Sequence, residues 1–129
     1  MNQLRRALRE DQFSFSGFLI ARANMPQIED VSKFTRHLSK AGISWVRMKA
    51  DPAHMKPIQT DYDQNKVDAI IKSINTNDTK PVIISSDMFV IDGHHRYMAH
   101  KQTSTMLPSV QVSIPVNQLL RVIADYLED

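Results

Sequence analysis

The stretch from Met88 to Tyr97, Met-Phe-Val-Ile-Asp-Gly-His-His-Arg-Tyr, limits what this chain can fold into. Met88 to Ile91 is an apolar run of strand length, and Asp92-Gly93 is a turn signal that ends it. His94 to Lys101 then reads as a helix, with Tyr97 and Met98 available to pack inward. A buried strand that turns directly into a helix requires a sheet with helices layered on it. The same turn places Gly93, His94 and the amides after them at a helix N-terminus. Unpaired N–H groups and the helix dipole favour an anion there. Arg96 falls in the first turn, with a planar fork suited to phosphate or carboxylate. Asp92 stands at the strand end, where a metal ligand or general base could sit. His94 and His95 add two imidazoles suited to proton transfer.

The rest of the chain supplies the layers. Asp30 opens a helix whose stripe is Val31, Phe34, Leu38 and Ala41, and Gly42 ends it. Ile43 to Lys49 reads as a strand with Trp45 in the core. Asp51 to Asp61 is a connector with Pro52 and Pro57. Asp63 caps a helix that buries Val67, Ile70, Ile71 and Ile74. Pro81 to Ile84 and Met88 to Ile91 make a hairpin around Ser85-Ser86-Asp87. Ser109 to Pro115 is a half-buried strand, and Asn117 caps a last helix burying Leu119, Leu120, Ile123 and Leu127. The expectation is an α/β (mixed α+β) single domain, a small mixed sheet surrounded by helices. Residues 1–28, with Arg5, Arg6, Arg9 and the alternating Phe13, Phe15 and Phe18, are set apart as an N-terminal extension to a domain spanning 29–129.

Cysteine is absent, which excludes a disulfide scaffold, a thiolate nucleophile and a cysteine-held metal. With 3 glycines in 129 residues there is no glycine-rich loop, so phosphate binding must rest on one helix terminus. A net charge of +2 permits contact with nucleic acid without demanding it. No apolar run approaches the ~18 residues of a membrane span, and the first residues lack the apolar core of a signal peptide. A cytoplasmic protein with no membrane partner is expected.

The box Ile91-Asp92-Gly93-His94-His95-Arg96-Tyr97 resembles the signature of the ParB/sulfiredoxin superfamily. Asp63 to Val67 and Ile70 to Ile74 resemble the sulfiredoxin helix ahead of that box, and Leu107 to Leu127 resembles its closing strand and helix. The likeness covers roughly Ile43 to Leu127, about two thirds of the chain. It implies a ParB/sulfiredoxin-like fold and binding of nucleotide phosphates by His95 and Arg96 beside Gly93, with Lys66 and Ser73 on the preceding helix. Ala69 stands where sulfiredoxin has a further serine. The catalytic cysteine of sulfiredoxin is replaced by His94, which excludes sulfinic-acid reduction.

The Asp-Gly-His-His-Arg form is similar to the free-serine kinase branch, and also to stand-alone box domains found in phage and plasmid genomes. No glutamate lies between Glu29 and Glu128 to serve as the upstream base of the kinases. A kinase would use Asp92, or alternatively Asp61 or Asp51. The resemblance therefore implies Mg²⁺ with a nucleotide (ATP, ADP or CTP), and hydrolysis or phosphoryl transfer. Asp92, His94 and His95 would be catalytic, with Asp92 also a metal ligand. The alternatives are a protein that binds or nicks DNA through the same box, its surface extended by Arg5, Arg6, Arg9 and Arg22, and a nucleotide-sensing module without turnover.

Overall fold

A computed structural model describes residues 27–59, 62–74 and 80–128. Among them, five strands and four helices form three layers. The strands are β1 (Trp45–Ala50), β2 (Lys56–Pro57), β3 (Val82–Ile84), β4 (Phe89–Asp92) and β5 (Leu107–Val112). The helices are α1 (Val31–Lys40), α2 (Gln64–Lys72), α3 (His94–Thr103) and α4 (Val116–Glu128). The sheet order is β1-β5-β3-β4-β2. The outermost pairs are β1 with β5, antiparallel, and β2 with β4, parallel; the β3–β4 hairpin is antiparallel and β3–β5 parallel. The sheet is therefore mixed, as the sequence implied.

The central strand β3 is buried at all three positions and divides its side chains between two cores. Ile83 joins Ile91, Val110 and Val112 under α1 and α4, while Val82 and Ile84 join Val90, Leu107 and Tyr97 under α3. Period-two alternation of this kind lets one short strand glue two helical layers. Ile28, counted with the N-terminal extension on sequence grounds, is only 1% exposed within the first core, so the packed domain includes it. Residues 1–26, with their arginines and phenylalanines, lie outside the described residues.

Helix α1 starts where Asp30 accepts a hydrogen bond from the Lys33 amide at 3.0 Å. It buries Val31, Phe34, Thr35 and Leu38, whereas Ala41 is its exposed C-cap. Trp45 is half-buried rather than in the core, because β1 is an edge strand. Its indole N–H donates to the Ser39 hydroxyl at 2.9 Å. The connector after Asp51 is partly structured: a short turn of 3-10 helix at Pro52–His54 leads into β2. On α2, only Val67 of the expected stripe is fully buried; Ile70, Ile71 and Ile74 are half-covered. The start of α4 is not capped by Asn117, which lies inside the helix. Asp87 of the hairpin turn accepts from the Val116 amide instead, at 3.0 Å. Leu127 is 42% exposed, at the end of α4.

His100 is buried on α3, its Nδ1 3.0 Å from the Thr105 hydroxyl. Burial pushes its imidazole below the usual range, against the opposing backbone contacts from Met106 and Thr105. The unfolded chain therefore takes up a proton on acidification before the folded one does. Stability contributed by neutral His100 is present above about pH 6.5 and is lost as pH falls below it. The urea midpoint of the wild type is expected to drop between pH 7 and pH 5 more steeply than that of His100→Gln. The difference in slope is at most about 1.4 kcal/mol per pH unit, the value for one proton.

Candidate phosphate-binding site

Strand β4 ends on Asp92, and Gly93 then takes φ +96° to redirect the chain into α3. The first helical bond runs from the Tyr97 amide to the Gly93 carbonyl at 2.9 Å. Among the described residues, no side chain caps the helix. Gly93 is required for two reasons. Its φ is one that residues with a Cβ rarely adopt. A Cβ there would also lie 2.5 Å from Arg96 Nη2 and 2.6 Å from Val82 Cγ1. The crowding is therefore within the fold itself.

The turn opens into a cleft of about 180 Å³ lined by Lys66, Lys80, Asp92, Gly93, His95 and Arg96, among others. Asp92 is 7% exposed and is surrounded by donors. Its Oδ1 accepts from the Ile28 amide at 3.4 Å, and its Oδ2 lies 3.5 Å from Arg96 Nη2 and 3.9 Å from Lys80 Nζ. Lys80 also donates to the Ile28 carbonyl. Burial pushes the Asp92 carboxyl up, while Arg96, Lys80 and the Ile28 amide pull it down. Burial likewise pushes Arg96 down, with Asp92 opposing. In both cases desolvation outweighs the pairing, as expected for a buried pair at long separation. The Nη2 of Arg96 reaches the Pro81 carbonyl at 3.4 Å, and its buried Nε has no hydrogen-bond partner among the described residues. The fork thus holds donor capacity in reserve.

His95 is bound into the scaffold. Its Nε2 accepts from the Asp63 amide at 3.0 Å, which leaves the ring proton of the neutral imidazole on Nδ1. That bond ties the start of α3 to the N-cap of α2, and Gln64 and Gln102 exchange side-chain hydrogen bonds beside it at 3.1 and 3.2 Å. Lys66, one turn into α2, is thereby brought to the cleft. Ser73 is not: seven residues further along, it lies ~10 Å down the helix axis and closes α2, its hydroxyl donating to the Ile70 carbonyl. His94 is buried between Tyr97 and Tyr62, ring centroids 6.0 and 6.2 Å away.

Of the alternative bases, Asp51 accepts from the Ala53 amide and caps the 3-10 turn, away from the cleft lining. Asp61 lies outside the described residues. Among the described residues, no group of three or more histidines and carboxylates is arranged to hold a metal. Lys80 is a site residue that no local sequence signal marks. The hairpin carried the signal, since pairing Ile83 with Asp92 puts the residues just before β3 beside the box.

Comparisons with protein-family models, with curated proteins and with solved structures find no match. Among the described residues no helix is long and apolar enough to cross a membrane.

Proposed function

We propose that this protein binds the phosphate groups of a nucleotide in the cleft at the start of α3, as the likeness of its box to the ParB/sulfiredoxin superfamily implies. The observation that carries the reading is the convergence of Lys66, Lys80 and Arg96 on one helix start, with a single carboxylate among the described lining residues, Asp92, against two of them. Three cations and a helix N-terminus against one acid favour a multiply charged anion. The volume, about 180 Å³, is below the usual size of a small-molecule site, so the phosphates enter and the nucleoside stays outside. Tyr62, 45% exposed and tilted edge-on to His94, offers a ring there.

The residues do not fit a magnesium ion held by the protein. Asp92, the one carboxylate among the described residues lining the cleft, is shared between two cations, which would repel a divalent ion. In this reading Mg²⁺ arrives with the phosphates of ATP, ADP or CTP. Hydrolysis or phosphoryl transfer needs a base beside the attacking group. Asp92 is held by cations and His95 Nε2 by an amide, so the arrangement supports binding more directly than turnover.

The test is calorimetry of ATP, ADP, CTP, GTP and inorganic pyrophosphate, with and without Mg²⁺, with products resolved by chromatography. At least one nucleotide is expected to bind, with pyrophosphate competing. Arg96→Ala is expected to weaken binding tenfold to a hundredfold, from about 1.5–3 kcal/mol for a charge-assisted contact. Lys66→Gln, an exposed change, is expected to weaken it about threefold to tenfold. A folded wild type that binds none of the five defeats the proposal, and product formation would add turnover to it.

A further inference from the structure

We propose that α1 and β1 carry a second binding surface, one that takes the phosphate backbone of a nucleic acid. Lys33, Arg36, His37 and Lys40 follow at three- and four-residue spacing and therefore share one face of α1. They form one wall of a cleft of about 650 Å³ whose other lining includes Tyr126 of α4. Strand β1 carries two further cations. Arg47 is opposite Val110, and Trp45 opposite Val112, both buried in the core under α1 and α4. Arg47, and Lys49 two residues on, thus project to the sheet face that α1 covers. The bond from Trp45 to Ser39 fixes the start of β1 against the last turns of α1.

Arg36, Lys40, Arg47 and Lys49 are all exposed. None of these four takes part in the ion pairs of Asp92 with Lys80 and Arg96. Glu29 and Asp30 also line the cleft, at the start of α1 beside Lys33. The surplus of positive charge therefore lies further along, from Arg36 to Lys49. The chain as a whole is nearly balanced, with 16 lysines and arginines against 14 acids, so this surplus is a local concentration.

The shape of the patch selects the partner. A run of cations along a helix, about 10 Å from Lys33 to Lys40, with Arg47 and Lys49 on the neighbouring strand, is an open array of point charges and not an enclosed pocket. A polymer with a regular charge repeat matches such an array. Phosphates on one duplex strand advance about 3.4 Å each, so the helix alone spans about three of them. With about four contacts, the logarithm of affinity should fall against the logarithm of salt with a slope of roughly −3.6 for duplex DNA.

The test is fluorescence anisotropy of the full chain with a labelled 20-mer duplex across a salt series. Arg36→Gln/Lys40→Gln is expected to make the slope shallower by about 1.8 and to weaken binding at every salt concentration. Arg47→Gln/Lys49→Gln, on the other element, should do the same. Circular dichroism checks that each variant is folded. Lys66→Gln, at the cleft of α3, is expected to leave the slope unchanged. A slope shallower than about −1 in the wild type overturns the proposal. So does a slope that responds to Lys66→Gln but to neither double variant, and so does binding to phosphatidylserine vesicles with none to the duplex.

Discussion

Gly93→Ala is expected to destabilise the domain by about 2–5 kcal/mol, and Gly42→Ala by only about 1–2 kcal/mol. Both glycines have positive φ, +96° and +75°. Each substitution therefore incurs the backbone penalty of a left-handed residue. They differ in what a new Cβ meets. At Gly42 nothing among the described residues lies within 4 Å, while at Gly93 the Cβ falls 2.5 Å from Arg96 Nη2 and 2.6 Å from Val82 Cγ1. Val82 is fully buried in β3 and has nowhere to move. Arg96 can swing away, but only by leaving Asp92. The melting temperature of Gly93→Ala should fall by roughly 8–20 °C, at about 4 °C per kcal/mol for a domain of this size. Equal losses in the two variants would show that close approach at Gly93 contributes nothing. The comparison also separates stability from binding, since Gly42 is remote from the cleft lining.

Local chemistry was legible in the sequence, and long-range pairing was not. The N-caps Asp30 and Asp63, the hairpin around Ser85 to Asp87 and the turn at Gly93 are each decided by a few neighbouring residues. All four stand where spacing and turn chemistry put them. The two-residue strand β2 was hidden, because its pairing with β4 joins residues more than thirty positions apart. The cap of α4 was misassigned to Asn117 for a related reason: Asp87, 29 residues earlier, is delivered to the Val116 amide by the hairpin. Trp45 reads as a core residue because nothing local in its strand marks β1 as an edge, where it is half-buried. At the site, Gly93, His95 and Arg96 were legible as a motif, and Lys66 joined them through a helix whose N-cap is held by His95. Lys80 needed the strand register, and Ser73 was carried out of reach by the helical rise.

Asp92→Ala is expected to cost about 3–5 kcal/mol, the loss typical of breaking a buried pair from one side. The partner left behind is Arg96, 20% exposed, whose guanidinium would then have the Pro81 carbonyl as its contact among the described residues. The Ile28 amide, bonded to Oδ1, would be orphaned as well. Replacing both charges should recover part of the loss, so Asp92→Leu/Arg96→Met is expected to be more stable than the sum of its single variants predicts, by at least about 1 kcal/mol. The site adds a second consequence. Asp92 holds Arg96 and Lys80 in place, and it also competes with any anion for them. Removing its charge by Asp92→Asn should destabilise the empty protein and yet raise the stabilisation gained from pyrophosphate, because the cations then lack a counter-charge. Thermal melts with and without pyrophosphate measure both effects at once, through the mass-action shift that a ligand of the folded state produces. A larger pyrophosphate shift in Asp92→Asn than in the wild type would identify Asp92 as the internal stand-in for a bound phosphate. A smaller shift would mean that the carboxylate's part in holding the two cations outweighs its repulsion of the anion.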